Sequence, residues 1–214
     1  MNSNILIAHE CSLVREGIAH ILEGLGQYTL HSCDNAEDAI SLVKSRDVDL
    51  LITSFVLPKM GAIELINRIS AYSRSTRILV CANEGALLVV EKCMQSGAHG
   101  YVTTRVSGEE LGTAVAMLLS GRLYTEAAIS QELALHKIRG DDYLLDALSP
   151  REFDIFLKII KDKPVKLVAK ELFLAEKTVA NYVSNIKKKL RAKTNAGLLE
   201  IAIKEGFVEY ATSA

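Results

Sequence analysis

The chain has 214 residues, of which 49% are hydrophobic and 24% are charged. These proportions are close to the globular average and exclude a disordered, collagen-like or coiled-coil protein. No apolar run approaches the roughly 18 residues of a membrane span, and the first residues lack the basic start of a secretory signal. The four cysteines are scattered without paired spacing, which predicts a cytoplasmic protein without a zinc site.

The formal net charge of −1 conceals an asymmetry between the two parts of the chain. Residues 1–145 carry 12 Lys and Arg against 17 Asp and Glu, a balance of −5. Residues 146–214 carry 13 against 9, a balance of +4. An acidic part followed by a smaller basic part predicts two domains, the second of which meets a polyanion.

Short β-rich runs alternate five times with helical patterns through residues 1–121. The predicted strands are Ile5–Ala8, Tyr28–Cys33, Leu50–Thr53, Ile78–Cys81 and Tyr101–Val102. Helix-start signals lie at Ser12, at Asn35 and at Ser107 with Glu110. Five such units predict an α/β domain with a doubly wound, five-stranded parallel sheet that is covered on both faces. Ligands of such sheets bind outside the carboxyl ends of the strands.

Three loop motifs carry a family resemblance. They are Val14-Arg15-x-Gly17-Ile18, Leu57-Pro58-x-Met60 and Gly97-Ala98-x-Gly100-Tyr101. These motifs and the order of the elements resemble the receiver domain of two-component response regulators. The resemblance implies a phosphate-accepting pocket at the carboxyl ends of the strands. It also shows departures in that pocket, where only Glu10 keeps a matching charge.

The departures replace the residues that carry the phosphoryl chemistry of the family. His9 and Glu10 stand where the resemblance implies an acidic pair, and Ser54 stands for the phosphate-accepting aspartate. Ala82 replaces a hydroxyl residue, and Thr104 replaces a phosphate-binding lysine. An acyl phosphate needs a carboxylate, and Mg²⁺ prefers several oxygen ligands. We therefore predict a pseudo-receiver that is not phosphorylated in the ordinary way.

Other interpretations of the same pocket remain open. Ser54 is a candidate for a phosphate ester, and His9 for pH sensing or for metal binding with Glu10. Cys11 and Cys81 are candidates for redox sensing, and the vacated pocket is a candidate ligand site. We favour ordinary polar and packing roles for Ser54, His9 and the two cysteines, leave the ligand site open, and expect no cofactor and no bound metal.

The second part of the chain has the sequence pattern of a small helical domain. Residues 122–147 form a predicted linker with a helix over Thr125–Ile138 and a polar break over Arg139–Asp142. Residues 148–214 follow as the predicted second domain, in which Ser149 and Glu152 form a capping box. Four short helices, with a tight turn between the second and the third, are typical of a helix-turn-helix module.

The third of these helices, predicted from about Lys177 to Leu190, has one apolar and one polar face. The core stripe consists of Val179, Val183, Ile186 and Leu190. The outer face lacks acidic side chains and consists of Lys177, Asn181, Ser184 and Lys188, with Asn185 at its edge. Such side chains donate to base edges and phosphates in the major groove. The alternative is a solvated, lysine-rich helix face.

A second resemblance favours the nucleic-acid interpretation. Three segments strongly resemble the LuxR-type DNA-binding domain. They are Leu148-Ser-Pro-Arg-Glu152, Val168-Ala-Lys-Glu-Leu172 and Glu176-Lys-Thr-Val179 with the residues that follow. The resemblance implies that Lys177, Thr178 and Asn181 meet bases or nearby backbone, and that Lys187 and Lys189 hold phosphates. The full expected DNA-binding set is Lys177, Thr178, Asn181, Tyr182, Ser184, Asn185, Lys187, Lys188 and Lys189.

Two departures from this second family are visible. Ala175 replaces a serine that usually caps the recognition helix, and Tyr182 replaces a common histidine. The loss of such a cap costs about 1 kcal/mol. Both changes are expected to alter the preferred DNA site rather than to abolish binding.

The two resemblances together imply the architecture of the NarL/FixJ response regulators. We expect a transcription regulator that binds double-stranded DNA as a homodimer without aspartyl phosphorylation and that is not an enzyme. The candidate dimer face is Leu198, Leu199 and Ala202, and helices of the receiver-like domain are a second candidate. The alternative is an interaction or ligand-sensing protein whose DNA binding depends on a protein partner or a small molecule at the receiver-like domain.

Overall fold

The computed structural model describes residues 2–26, 28–58, 60–83, 86–139 and 144–204. The chain divides into two compact units, Met1–Arg139 and Gly140–Ala214. Most of the predicted polar break after Arg139 and the end of the predicted fourth helix of the second domain lie outside the described residues. Among the described residues, no helix has both the length and the apolar character needed to cross a membrane.

The first unit is a parallel sheet with helices between its strands. Its strands are β1 (Ser3–Ala8), β2 (Tyr28–Cys33), β3 (Leu50–Ser54), β4 (Arg77–Ala82), β5 (Gly100–Thr103) and β6 (Tyr124–Thr125). Its helices are α1 (Ser12–Leu25), α2 (Ala36–Ser45), α3 (Ala62–Tyr72), α4 (Leu87–Gln95), α5 (Gly108–Leu119) and α6 (Ala127–Arg139). The strand order is β2-β1-β3-β4-β5-β6, and all neighbouring strands are parallel.

The prediction of five strands is wrong by one. The sixth strand, β6, pairs Tyr124 with Gly100 and Thr125 with Tyr101. Tyr124 and Thr125 are only partly buried and form no apolar run of the kind that predicts a buried strand. Gly100 lets β6 approach, because a Cβ atom there would lie 2.9 Å from the Tyr124 carbonyl oxygen. Strand β6 and helix α6, which the sequence placed in a linker, belong to the first unit.

The core of the first unit lies on both faces of the sheet. On one face, Ile5, Ile7, Leu50 and Ile52 form a cluster with apolar side chains of α1 and α5, namely Ile18, Leu22, Leu111, Ala114, Val115 and Leu118. The alternate strand residues Leu6 and Leu51 are also completely buried. This two-sided burial explains why the strands are continuous apolar runs rather than alternating ones.

The helix starts of the first unit follow the predictions only in part. Asn35 caps α2 as predicted, since its side chain accepts a hydrogen bond from the Asp38 amide at 3.0 Å. Ser12 does not cap α1, because it lies inside the helix, and Cys11 takes the cap position without a side-chain bond. Ser107 caps α5, but the Glu110 carboxylate accepts from the Tyr124 hydroxyl at 3.2 Å instead of completing a capping box.

The second unit consists of four α-helices in its described part, preceded by a 3₁₀ turn at Leu144–Ala147. The helices are α7 (Pro150–Ile159), α8 (Val165–Glu171), α9 (Glu176–Lys189) and α10 (Asn195–Lys204). The predicted capping box at Ser149 and Glu152 is present. The stacked rings of Phe153 and Phe156, 6.3 Å apart, lie in the core. Four helices were predicted, and the 3₁₀ turn is the element that the sequence did not indicate.

Candidate nucleic-acid interface and the carboxyl edge of the sheet

The pairing of the strands brings the predicted pocket residues to one edge of the sheet. Ala8 pairs with Thr53, Ser54 with Cys81, and Ala82 with Thr103. The residues that end or follow β1, β3, β4 and β5 therefore share the carboxyl edge. His9, Ser54 and Ala82 are buried there, whereas Glu10 and Thr104 are exposed.

The hydroxyl group of Ser54 is used within its own loop. Ser54 Oγ donates to the Val56 carbonyl oxygen at 2.9 Å and accepts from the Val56 amide at 3.1 Å. The residue is only 4% exposed. A serine that donates and accepts in this way closes a tight turn. A phosphate ester at Ser54 would first require this turn to open.

His9 is a neutral, hydrogen-bonded side chain at the end of β1. Its Nδ1 atom accepts a hydrogen bond from the Cys11 amide at 3.0 Å, which requires Nδ1 to be unprotonated. Burial lowers the pKa of His9, and the nearby Arg15 cation lowers it further against the opposing effect of Glu10. The 3.5 Å approach of Glu10 Oε2 to Nδ1 is therefore no ion pair at neutral pH. Within the described residues, no group of His, Cys, Asp and Glu side chains has the arrangement of a metal site.

The end of β5 carries hydroxyl groups and a carboxylate. Thr104 Oγ1 donates to Asn83 Oδ1 at 3.1 Å, and the Thr104 amide donates to the Ala82 carbonyl oxygen at 2.8 Å. The Glu126 carboxylate, which follows β6, accepts a hydrogen bond from the Thr103 amide. Glu126 was missed in the sequence, because only the unpredicted strand β6 brings it to this edge. Its negative charge opposes the binding of a phosphoryl group there.

The thiols of Cys81, which is buried, and Cys33, which is partly buried, lack the character of reactive cysteines. Burial, and then the charge of Glu126, raise the pKa of Cys81 to about 11. Burial likewise raises the pKa of Cys33 to about 11. Because the thiolate is the reactive form, these environments disfavour the redox interpretation of Cys81 and favour a packing role.

The outer face of α9 carries the predicted DNA-binding side chains. The side chains of Val179, Val183 and Ile186 are buried. The exposed residues are Lys177, Asn181, Ser184, Asn185 and Lys188, whereas Thr178, Tyr182 and Lys187 are partly buried. In the described part of the chain, none of the five exposed side chains has a hydrogen-bond or ion-pair partner. They are available to a ligand without loss of an internal contact.

Lys189 has a different environment from the other lysines of α9. Its Nζ atom lies 2.6 Å from Glu152 Oε2, and the same carboxylate oxygen accepts from the Ser149 amide at 2.8 Å. Burial alone would raise the pKa of Glu152, but the hydrogen bonds from Lys189 and Ser149 outweigh it and lower the pKa. The Lys189 cation thus joins α9 to the start of α7, and its expected contact with a phosphate stays a prediction, since the side chain is 41% exposed.

Helix α8 adds cations that the sequence reasoning missed. Lys166 and Lys170 are exposed and lie four residues apart, on one side of α8. Their spacing was the available signal. Lys158 and Lys163 differ from them, since both contact the Glu171 carboxylate, at 2.7 and 2.5 Å. In a helix-turn-helix module the first helix crosses the DNA backbone, which is where exposed lysines of α8 would meet phosphates.

The candidate dimer face on α10 needs a correction. Leu198 and Ala202 are completely buried within the second unit, so their side chains are core residues and do not form a free face. Leu199 is partly buried and is the one residue of the predicted set that stays available for a contact with a second chain. Which side of α10 faces the core was not decidable from its apolar pattern, because Ile201 and Ile203 continue that pattern around the helix.

Comparison with known proteins agrees with this architecture. Residues 5–116 match the response regulator receiver domain, and residues 146–202 match the luxR family of bacterial regulatory proteins. The chain is a LuxR-family response regulator. The two matched segments lie in the two structural units of this response regulator.

Relatives of the response regulator match it over almost its whole length. The transcriptional activator protein ExaE of Pseudomonas putida is 29% identical over 211 residues, which cover 97% of this chain and 99% of ExaE. The response regulator UvrY of Escherichia coli is 29% identical over 206 residues, 95% of this chain and 94% of UvrY. A solved structure of RcsB from Salmonella typhimurium shares the fold, with a TM-score of 0.72 at 23% identity over 96% of this chain and 99% of that one.

Proposed function

We propose that this response regulator is a transcription regulator, not an enzyme, that binds double-stranded DNA as a homodimer in the bacterial cytoplasm. We further propose that it acts without aspartyl phosphorylation of its first domain. The observation that carries the proposal is the outer face of α9, on which lysine and asparagine side chains are exposed without internal partners. The names of relatives, a transcriptional activator among them, support the assignment.

The charge distribution supports DNA as the ligand. Lys177 and Lys188 on α9, and Lys166 and Lys170 on α8, are exposed and unpaired in the described residues. Cations that neutralise phosphates release counterions, which is the main source of DNA affinity. A homodimer doubles the recognised surface of a small module. The solved complex of two RcsB dimers with two DNAs is a precedent for this mode in a protein of the same fold.

The carboxyl edge of the sheet supports independence from phosphorylation. Ser54 offers a hydroxyl group that is already bonded to the Val56 backbone, and a hydroxyl group does not form the acyl phosphate of an aspartate. His9 is neutral, and Thr104 brings no charge that would neutralise a phosphoryl group. Glu126 adds a negative charge in the same place.

The proposal is tested by treating the full chain with acetyl phosphate and Mg²⁺, followed by intact-mass measurement and titration with duplex DNA. We expect no phosphoryl adduct and no change in DNA affinity. The Ser54→Ala variant, treated in the same way, is the matched control. It should show the same mass and DNA affinity with and without acetyl phosphate. A stable phosphoryl group on residues 1–139, with a change in DNA affinity, would contradict the proposed mode of action.

The same titration separates the alternative function. An interaction or ligand-sensing protein would bind DNA only with its protein partner or small molecule present. Binding of the isolated, untreated chain to DNA with sequence preference therefore supports the proposal. An isolated chain that is folded but binds no DNA would favour the alternative.

A further inference from the structure

We infer that Asn181 determines the sequence preference of α9 by reading an adenine in the major groove, so that each half-site contains an A·T pair at one fixed position. This inference rests on the proposed function, since it requires α9 to enter the major groove. It goes further in assigning one base to one side chain.

Asn181 and Lys188 are the two residues of α9 that point most directly away from the core, and of these only Asn181 lies in the N-terminal half of the helix. At 100° per residue, its position lies about 170° from the centre of the stripe formed by Val179, Val183, Ile186 and Leu190. All four stripe residues are buried and Asn181 is exposed. A helix that lies in the major groove with its core face toward the domain directs this position to the floor of the groove.

The chemistry of the side chain selects the base. An asparagine amide has a carbonyl acceptor and an NH₂ donor, and this pair matches the N6 donor and N7 acceptor of adenine. In the described residues the Asn181 amide has no internal hydrogen bond. No internal contact therefore has to be broken before the amide meets a base.

The exposed side chains around Asn181 on α9 are less suited to recognise adenine. Lys177 and Lys188 lie within about 40° of it around the helix axis, and both are exposed. Their long, flexible cations suit phosphates or guanine. Ser184 is short and accepts or donates to any base, so it carries little information about sequence.

Asn185 has the same side chain and the same exposure, one helical turn further on. Recognition helices contact base edges mainly with their N-terminal residues. Asn185 lies in the C-terminal half of α9, immediately before the lysines that follow Ile186. We therefore expect Asn185 to contact the DNA backbone rather than a base. The matched control for Asn181→Ala is Asn67→Ala, at an exposed asparagine of α3 in the first unit.

The first experiment selects duplexes from a pool with a randomised central segment, using the full chain and both variants. The wild-type chain should enrich a repeated motif with a fixed A·T pair. Asn181→Ala should lose the preference at one position of each half-site by about tenfold or more and keep the rest of the motif. Asn67→Ala should keep the whole motif. Retention of every base preference by Asn181→Ala would overturn the inference.

The second experiment replaces that adenine by 7-deazaadenine, which lacks the N7 acceptor. The modified duplex should bind the wild-type chain several-fold more weakly and the Asn181→Ala variant no more weakly than the natural duplex does. Equal losses for both proteins would overturn the contact. Failure of the folded wild-type chain to bind any duplex would instead overturn the proposed function itself, so the two failures are distinguishable.

Discussion

At the scale of single residues, the carboxylate of Glu152 joins two helices of the second unit. It bonds the Ser149 amide at the start of α7 and Lys189 near the end of α9. We expect Glu152→Gln to lower the free energy of unfolding by about 1 kcal/mol, because a charge-assisted hydrogen bond to a partly exposed lysine is lost. Urea denaturation at pH 7 measures the change.

The pH dependence of the same variant has a defined sign. Since the pKa of Glu152 lies below its ordinary value of 4.5 in the folded chain, its contribution is present above that pH and is lost as the pH falls through the lower, folded value. The stability gap between wild type and Glu152→Gln should therefore narrow in acid. Glu200→Gln, at an exposed glutamate of α10, is the control and should leave the free energy of unfolding at pH 7 nearly unchanged.

Two histidines give the first unit an acid-sensitive stability. Burial, and to a smaller extent the Arg77 cation, lower the pKa of His99. The Nδ1 atom of His99 accepts a hydrogen bond from the Ile78 amide at 3.2 Å. The pKa of His9 is lowered as well, mainly by burial. Below about pH 6.5 the unfolded chain takes up protons that the folded chain does not, so stability falls. Thermal unfolding between pH 7.5 and 5.5 tests this.

The variant His99→Asn separates the two histidines. An asparagine Oδ1 atom can replace Nδ1 as the acceptor for Ile78 without taking up a proton. We expect a shallower pH dependence than in the wild type, with the remainder due to His9. If the pH dependence of the unfolding temperature were unchanged in this variant, His99 would not be a source of the acid sensitivity.

At the scale of elements, the start of α9 lacks a side-chain cap. Ala175 occupies the cap position with φ −69° and ψ 144°, the extended conformation that a capping residue adopts. We expect Ala175→Ser to raise the free energy of unfolding of the second unit by about 1 kcal/mol, because the serine hydroxyl would accept a hydrogen bond from the Lys177 or Thr178 amide in the first turn. The urea midpoint measures this gain.

The control places the same substitution inside the helix. Ala180 is exposed in the middle of α9, where serine is a poorer helix former than alanine. Ala180→Ser should therefore leave stability unchanged or lower it by a few tenths of a kcal/mol. Equal effects of the two substitutions would mean that the gain at Ala175 does not come from capping.

The sequence was informative where a pattern repeats and uninformative where a role depends on a distant partner. The five longer strands are visible as short runs of apolar and β-branched residues and the stripe of α9 by its helical period, and the described structure contains them. Strand β6 has two residues and no period. The ion pair of Lys189 could not be predicted, because its partner, Glu152, lies 37 residues earlier and meets it only in the folded unit. Leu198 was misjudged because a single apolar helix shows no inside or outside when it is hydrophobic on most of its faces.

At the scale of the whole molecule, the opposite charges of the two parts predict a strong effect of salt on DNA binding. The logarithm of the binding constant should fall linearly with the logarithm of salt concentration. We expect Lys188→Ala to reduce the magnitude of this salt slope by about 1 for each DNA-bound copy of the second unit. Lys137→Ala, an exposed cation of the first unit, is the control and should leave the slope unchanged. Titrations at several salt concentrations measure both slopes, and equal slopes for all three proteins would exclude a phosphate contact of Lys188.

Strand β6 also decides how the first unit behaves when it is separated from the rest. In the sheet, β5 is an inner strand because β6 pairs with it. A chain cut after residue 121 loses β6 and exposes the backbone amide and carbonyl groups of β5, a ready template for pairing with another chain. Such a fragment should self-associate at concentrations where a fragment ending at residue 139 stays monodisperse. We therefore expect the pairing of Tyr124 and Thr125 with β5 to protect the first unit from aggregation.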